Sequence, residues 1–357
     1  MKLRVIFFED DLDSYQRISG RVAGDEILPE RFEPHRAVKK GALNGRHLVT
    51  TSVIRKHLLN PKETTLAVLD HDLTRYLPLV DGETVKDACS SIGVPLCVYT
   101  FQEGPDDRVA YLQDWRGPQV AIDVEEEPQR IAELITGYSE GFSELRSSFR
   151  GARKMSLSSI FKDVLRAPPE ATPRLEQYLW SGVLPLGVLK ASREVDPKFL
   201  GRIASTTFGY WICNTLLRFP GVLLNNVAAA SYLGVNPEQF AQREDLRAPF
   251  KRALYKGPFS STGPYWWTTE IDRIVAADAG TLPQTSPPGF GYLRGIDPEV
   301  KKCRCAAGHP GAGYYCVLTK KPVCDRHSIR PLGVIPVAAD RSRILKKEFD
   351  RTPALVA

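Results

Sequence analysis

Residues 3–11 read LRVIFFEDD, and residues 65–72 read TLAVLDHD. Each is a short apolar run that stops abruptly at acidic residues. Two further runs follow the same plan, residues 94–99 (VPLCVY), ended by Thr100, and residues 119–124 (QVAIDV). Mostly apolar runs of this length suit strands buried on both faces, as in a parallel sheet. The segments between them are long enough for crossover helices. Residues 83–92 and 107–115 are the clearest helix candidates, and residues 128–145 read as a helix packing back on the sheet. The expected fold for residues 1–145 is therefore an α/β domain with a doubly wound parallel sheet. In such a sheet ligands gather beyond the carboxyl ends of the strands. Three strand ends bring chemistry there, namely Glu9-Asp10-Asp11, Asp70-His71-Asp72 and Thr100. Clustered carboxylates repel one another unless a hard cation sits among them, and Mg²⁺ favours such oxygens.

These residues resemble the receiver domain of two-component response regulators, a flavodoxin-like fold, over roughly residues 1–140. Asp10 and Asp11 match the family's acidic pair, Asp70 its phospho-accepting aspartate, and Thr100, 30 positions later, its switch hydroxyl. The resemblance implies that Asp70 attacks a phosphoryl donor while Mg²⁺ held by Asp10, Asp11 and Asp70 neutralises the developing charge. Thr100 would then sense the acyl phosphate. Two departures stand out. The fifth strand should end in a lysine, but residues 119–124 offer Asp123 and no Lys. Asp70 also lies 60 positions after Asp10, farther than the family needs, which places an insertion at residues 34–58. A degenerate receiver serving as a docking module is the second expectation. A looser resemblance is to Toprim-type metal sites, with Glu9 and Asp70-His71-Asp72, although Asp10 stands where that family has glycine. The plain structural alternative is that aspartates at strand ends cap the helices that follow.

Residues 146–173 change character, with Ser, Arg and Lys early and the proline-rich APPEATP at 167–173, and read as a linker. Residues 174–282 read as mainly helical. Within them residues 227–240 (VAAASYLGVNPEQF) have a helix-turn-helix cadence, with Gly234 at the turn and Pro237 at a first helical position. The cadence, the basic residues Arg243, Arg247, Lys251 and Arg252, and the pair Trp266-Trp267 are similar to the helix-turn-helix plus wing of MerR-type regulators. That similarity implies phosphate contacts and an aromatic wedge against DNA. Against it stand Glu238, Glu244 and Asp245 on the second helix, and the commoner fate of a Trp pair as core. A helical scaffold or partner-binding module is the alternative.

After a Pro/Gly-rich connector at 281–295, residues 296–357 hold Cys303-x-Cys305, His309, Cys316 and Cys324-x-x-His327. Six thiol and imidazole groups fall within 25 residues, and such ligands favour tetrahedral zinc. Four are needed. Cys303, Cys305, Cys324 and His327 are favoured because close pairs lose the least entropy when brought together. Cys316 is the first substitute and His309 the second. Surrounding lysines and arginines favour thiolates and suit nucleic acid.

With 48 basic and 42 acidic residues, the net charge of +6 permits a nucleic-acid partner without demanding one. No stretch reaches the roughly 18 uninterrupted apolar residues of a membrane span. The first residues enter a strand rather than a signal peptide, so a cytoplasmic location is expected. No Ser/His/Asp set, phosphate-binding glycine loop or dinucleotide fingerprint is present, and no small-molecule substrate is evident. The reading that best gathers these features is a non-catalytic signalling or regulatory protein. A receiver-like input domain would precede a zinc-containing region that binds DNA or a protein partner. The alternatives are an adaptor subunit of a phage-defence or other nucleic-acid-processing system, and a Toprim-like metal-dependent nuclease.

Overall fold

The apolar run Leu3–Phe8 forms β1, an interior strand of a parallel sheet, buried from Arg4 onward. A computed structural model describes residues 3–22, 26–34, 49–59, 64–70, 73, 80–100, 117–123, 127–149, 159–181, 199–279, 288–331 and 333–351. The chain divides into two compact units. The first comprises residues 1–103, 117–154 and 184–210, and the second residues 104–116, 155–183 and 211–357.

In the first unit β1 is followed by α1 (Leu12–Val22), β2 (Ile27–Arg31), α2 (Thr51–Leu59), β3 (Thr64–Leu69), α3 (Gly82–Ile92), β4 (Leu96–Thr100), β5 (Val120–Asp123) and α4 (Pro128–Phe149). The strands pair in the order β2-β1-β3-β4-β5, every pair parallel. This is a doubly wound order compatible with flavodoxin-like folds, in which the chain starts inside the sheet, steps to one edge and then winds across to the other. Alternate residues of a strand face opposite sides of the sheet. Ile6, Phe8, Ala67 and Leu69 pack with Ile54 and Leu58 of α2 and Val85, Ala88 and Ile92 of α3. On the other face Phe7 meets Tyr15 of α1 edge-on at 5.5 Å, and α4 lies against both α1 and β3. The expected strands and two of the expected helices thus appear close to their expected limits, while residues 107–115 lie outside the described residues.

α3 shows how local chemistry sets these limits. The Asp81 side chain accepts the Thr84 amide at 2.7 Å and caps the start. Gly93, at φ +66°, ends the helix in the left-handed conformation. The helix α6 (Leu200–Trp211) lies against that turn along its portion in the first unit. The Thr206 hydroxyl donates to the Gly93 carbonyl at 2.9 Å, and the Leu96 amide donates to the Tyr210 hydroxyl at 2.8 Å. Residues 199–210 therefore pack with the sheet rather than with the helical region that the sequence places at 174–282.

The second unit holds α5 (Thr172–Ser181), preceding α6 in the chain. It also holds β6 (Leu223–Asn225), α7 (Asn226–Leu233), α8 (Pro237–Gln242), α9 (Glu244–Arg247), β7 (Tyr265–Trp267), α10 (Thr268–Ala279) and α11 (Pro288–Ile296). Four short strands follow, β8 (Tyr314–Cys316), β9 (Pro322–Val323), β10 (Ser328–Ile329) and β11 (Ser342–Leu345), and then α12 (Lys346–Asp350). They form a sheet in the order β10-β11-β8-β9. Residues 159–171, expected within a linker, are not an exposed tether. Phe161, Val164, Leu165 and Ala171 are buried, and the prolines at 168–169 start a 3₁₀ turn, a place where a missing amide hydrogen costs little. Beyond that turn the Tyr178 hydroxyl, fully buried, donates to the Phe219 carbonyl at 2.8 Å.

Candidate metal centres and basic cleft

The first site lies at the carboxyl end of the parallel sheet. β1 ends at Phe8 and β3 at Leu69, paired in register, so the residues that follow emerge side by side. Carboxylate oxygens of Glu9, Asp10 and Asp70 all lie within 4.8 Å of one another. The Asp70 amide donates to the Phe8 carbonyl at 2.9 Å and holds the two strand ends together. Glu9 is only 3% exposed. Burial, together with the nearby charges of Asp70 and Asp10, pushes its carboxyl up to about 7, against the opposing hydrogen bond from the Asp11 amide. Arg31 braces the same turn through main-chain carbonyls, donating to those of Glu9 and Asp10 at 2.8 Å each.

The expected acidic pair was Asp10 and Asp11. The cluster instead takes Glu9 and Asp10, and Asp11 turns to α1. Its carboxylate accepts the Asp13 amide at 3.1 Å and the Ser14 hydroxyl at 3.3 Å, as a capping residue does. Thr100 closes β4, paired in register with Asp123 at the end of β5, which fixes where their backbones lie. Their side chains, and all of His71 and Asp72, lie outside the described residues. Of the residues expected at this site, Asp10 and Asp70 come together, with Glu9 as the third member.

The second site lies beside the four-stranded sheet, on the loops around β9. Cys305, Cys324 and His327 present ligand atoms within 4.8 Å of one another. Cys324 Sγ lies 3.1 Å from His327 Nδ1. Cys305 Sγ accepts the amides of Ala307 at 3.5 Å and Cys324 at 3.3 Å. The His309 ring stacks on that of His327, with centroids 4.2 Å apart. Cys303, the fourth expected ligand, is not in this group. It is fully buried beside the Ser231 side chain, and burial pushes its thiol up to about 11. Cys316 Sγ accepts the amides of Thr319 at 3.5 Å and Leu345 at 3.3 Å. Two thiols and an imidazole are a donor set suited to zinc.

Three of the four expected nucleic-acid residues make contacts within their own region. Arg243 forms ion pairs with Asp245 and Asp297, Lys251 pairs with Glu244 at 3.1 Å, and Arg247 Nε donates to the Arg243 carbonyl. Arg252 is exposed. The helix-turn-helix cadence is present, with Gly234 at φ +79° ending α7 and the Asn236 side chain capping α8. The proposed reading helix is only six residues long. Trp266 and Trp267 are each 3% exposed in β7, so the expected aromatic wedge is core. Trp266 Nε1 donates to the Asn226 side chain at 2.9 Å.

A different basic surface adjoins the Cys/His group. A cleft of about 780 Å³ is lined by Lys321, Lys346, Lys347 and Arg351, with His327 at one side and Glu348 and Asp350 among its acids. The sequence conceals it because its walls come from four separate stretches, around Ala306, Thr319, His327 and Lys346. No family model matches this chain, and a search of curated proteins finds no match.

Proposed function

We propose that this chain is a regulatory protein whose N-terminal unit is a receiver-like module that binds a divalent cation through Glu9, Asp10 and Asp70. Its C-terminal region would act as a zinc-containing output surface for nucleic acid or a protein. The observation that carries the reading is the convergence of these three carboxylates beyond the carboxyl ends of β1 and β3 in a 2-1-3-4-5 sheet. In such a module an Asp70 oxygen attacks the phosphorus of a donor and the leaving group departs, giving an acyl phosphate at Asp70. Mg²⁺ offsets the charge gathered there. Incubation with a small phosphodonor followed by phosphate-affinity electrophoresis tests this. The parent shifts and Asp70→Asn does not.

A second reading is favoured by one specific feature. β5 ends in Asp123, and the next residues are Val124 and Glu125-Glu126-Glu127, where a receiver would supply a lysine to the phosphoryl group. On that reading the module is a docking adaptor of a nucleic-acid-processing system, such as a phage-defence complex. It would bind Mg²⁺ without accepting phosphate. An unshifted parent that still binds Mg²⁺ selects the adaptor, and a parent that binds no divalent cation removes both. The basic cleft beside the Cys/His group supports a phosphate-bearing partner for the output region on either reading. Toprim-like cleavage would need Asp72 as a ligand, and loss of Mg²⁺-dependent plasmid cleavage in Asp72→Ala is its test.

A further inference from the structure

We propose that Cys305, His309, Cys324 and His327 bind one zinc ion as a closed structural site, and that Cys303 and Cys316 are not ligands. This rests on the reading of the Cys/His group as a metal centre and assigns its complete ligand set.

The chain supplies the four ligands as two short loops of two. Cys305-x-x-x-His309 is a tight turn in which the Gly308 amide donates to the Cys305 carbonyl at 2.8 Å, with Gly308 at φ +85°. The Cys305 amide in turn donates to the His309 carbonyl at 2.9 Å, so the two residues face each other across the turn. Cys324-x-x-His327 is a 3₁₀ turn closed by the His327 amide on the Cys324 carbonyl at 3.2 Å. The loops are tied together directly. The Ala306 amide donates to the Pro322 carbonyl at 2.8 Å, and the Cys324 amide to Cys305 Sγ at 3.3 Å. Amide donors on a sulfur stabilise it as a thiolate, the form that binds metal. His309 is exposed and stacked against His327, which places its ring beside the three gathered ligands.

The two remaining cysteines lie outside the gathered group, although Cys316 Sγ, like that of Cys305, receives two amides. The Cys303 amide donates to the Gly234 carbonyl at 2.9 Å, and its carbonyl accepts the Gly311 amide at 3.1 Å, fixing its buried thiol beside Ser231. Cys316 lies within β8, fully buried, with its sulfur receiving amides from Thr319 and Leu345. Cys316 packs beside Cys305 and Cys324, but its sulfur is not one of the ligand atoms gathered within 4.8 Å of one another, and neither is that of Cys303. With four protein ligands zinc is coordinatively closed and has no position for a reacting water, so the ion holds the loops together and catalyses nothing.

The test uses the full chain. Zinc content of the purified parent is measured, the zinc is exchanged for Co²⁺, and the thiolate-to-cobalt absorption is compared among variants. The parent should carry one zinc and show charge transfer from two thiolates. Cys303→Ser and Cys316→Ser should leave both unchanged. Cys324→Ser should lose half the charge-transfer intensity. His309→Gln, an exposed change that leaves the folded core intact by circular dichroism, should keep that intensity but alter the ligand-field bands. It should also weaken zinc binding by at least the roughly 10- to 100-fold typical of disturbing a ligand's support. A His309→Gln protein with parental bands and affinity overturns the assignment, as does a drop in thiolate intensity in Cys303→Ser or Cys316→Ser. A parent that binds no zinc overturns the metal reading itself, a distinct outcome.

Discussion

Glu9 is where residue-scale chemistry is most exposed to measurement. Its carboxyl is held near 7 by burial and by Asp70 and Asp10, against 4.5 in an open chain. A raised carboxyl pKa means that the folded state keeps a proton the unfolded state releases. Without divalent cation, its contribution to stability is therefore complete below about pH 4.5 and is lost as pH rises toward 7. The scale is roughly 1.4 kcal/mol for each unit of separation. Glu9→Gln should flatten the stability profile across that window, as denaturant midpoints at pH 5 and pH 8 would show. An unchanged profile contradicts the placement of a buried carboxyl there. That Glu9 rather than Asp11 joins the cluster was not legible in EDD. Residues 9 and 11 would share a face if the strand continued, but β1 stops at Phe8 and α1 starts at Leu12, so Asp11 falls at a helix cap. The order of acids in the sequence does not reveal where the strand lets go.

At the scale of elements, the turn after α3 is the sharpest case. An added Cβ at Gly93 would meet Ile203 N at 2.6 Å and the Arg202 carbonyl carbon at 2.7 Å, both main-chain atoms of α6, in a left-handed backbone that disfavours side chains. Gly93→Ala should destabilise the first unit by about 1–3 kcal/mol from backbone strain alone, with the steric clash adding to it. Chemical denaturation followed by circular dichroism measures this, and a loss below about 0.5 kcal/mol would contradict the close approach. The strands β1, β3, β4 and β5 were legible because strands buried on both faces read as near-continuous apolar runs. β2 was not, since ILPER includes Pro29 and two charged residues, as an edge strand paired on one side tolerates. The docking of residues 199–210 on Gly93 was hidden for another reason. Helix periodicity reports which face is buried, not which core buries it. The acids beside the basic run after Gly234 were hidden likewise, because sequence shows the charge of Arg243 and Lys251 but not the groups that pair with them.

The whole chain carries a net charge of +6, and its distribution yields a prediction at that scale. If the output partner is a nucleic acid, affinity should fall steeply with salt, and the basic cleft should carry that dependence. Lys346→Glu with Lys347→Glu should reduce the slope of log affinity against log salt by about one for each phosphate-contacting lysine, whereas Arg247→Ala and Lys251→Ala should leave it near the parental value. Fluorescence anisotropy with a labelled oligonucleotide reads both, and the opposite ranking would return the interface to the helix-turn-helix region. The central claim concerns the other unit, where three strand-end carboxylates are read as a divalent-cation site within a receiver-like sheet. Titration calorimetry of Mg²⁺ into the full chain tests it most directly. The account predicts saturable binding to the parent at pH 8, stronger there than at pH 6 because Glu9 must give up its proton, and abolished in Asp70→Asn with the fold retained. Binding by Asp70→Asn equal to that of the parent, or no binding by the parent at millimolar Mg²⁺, would contradict it.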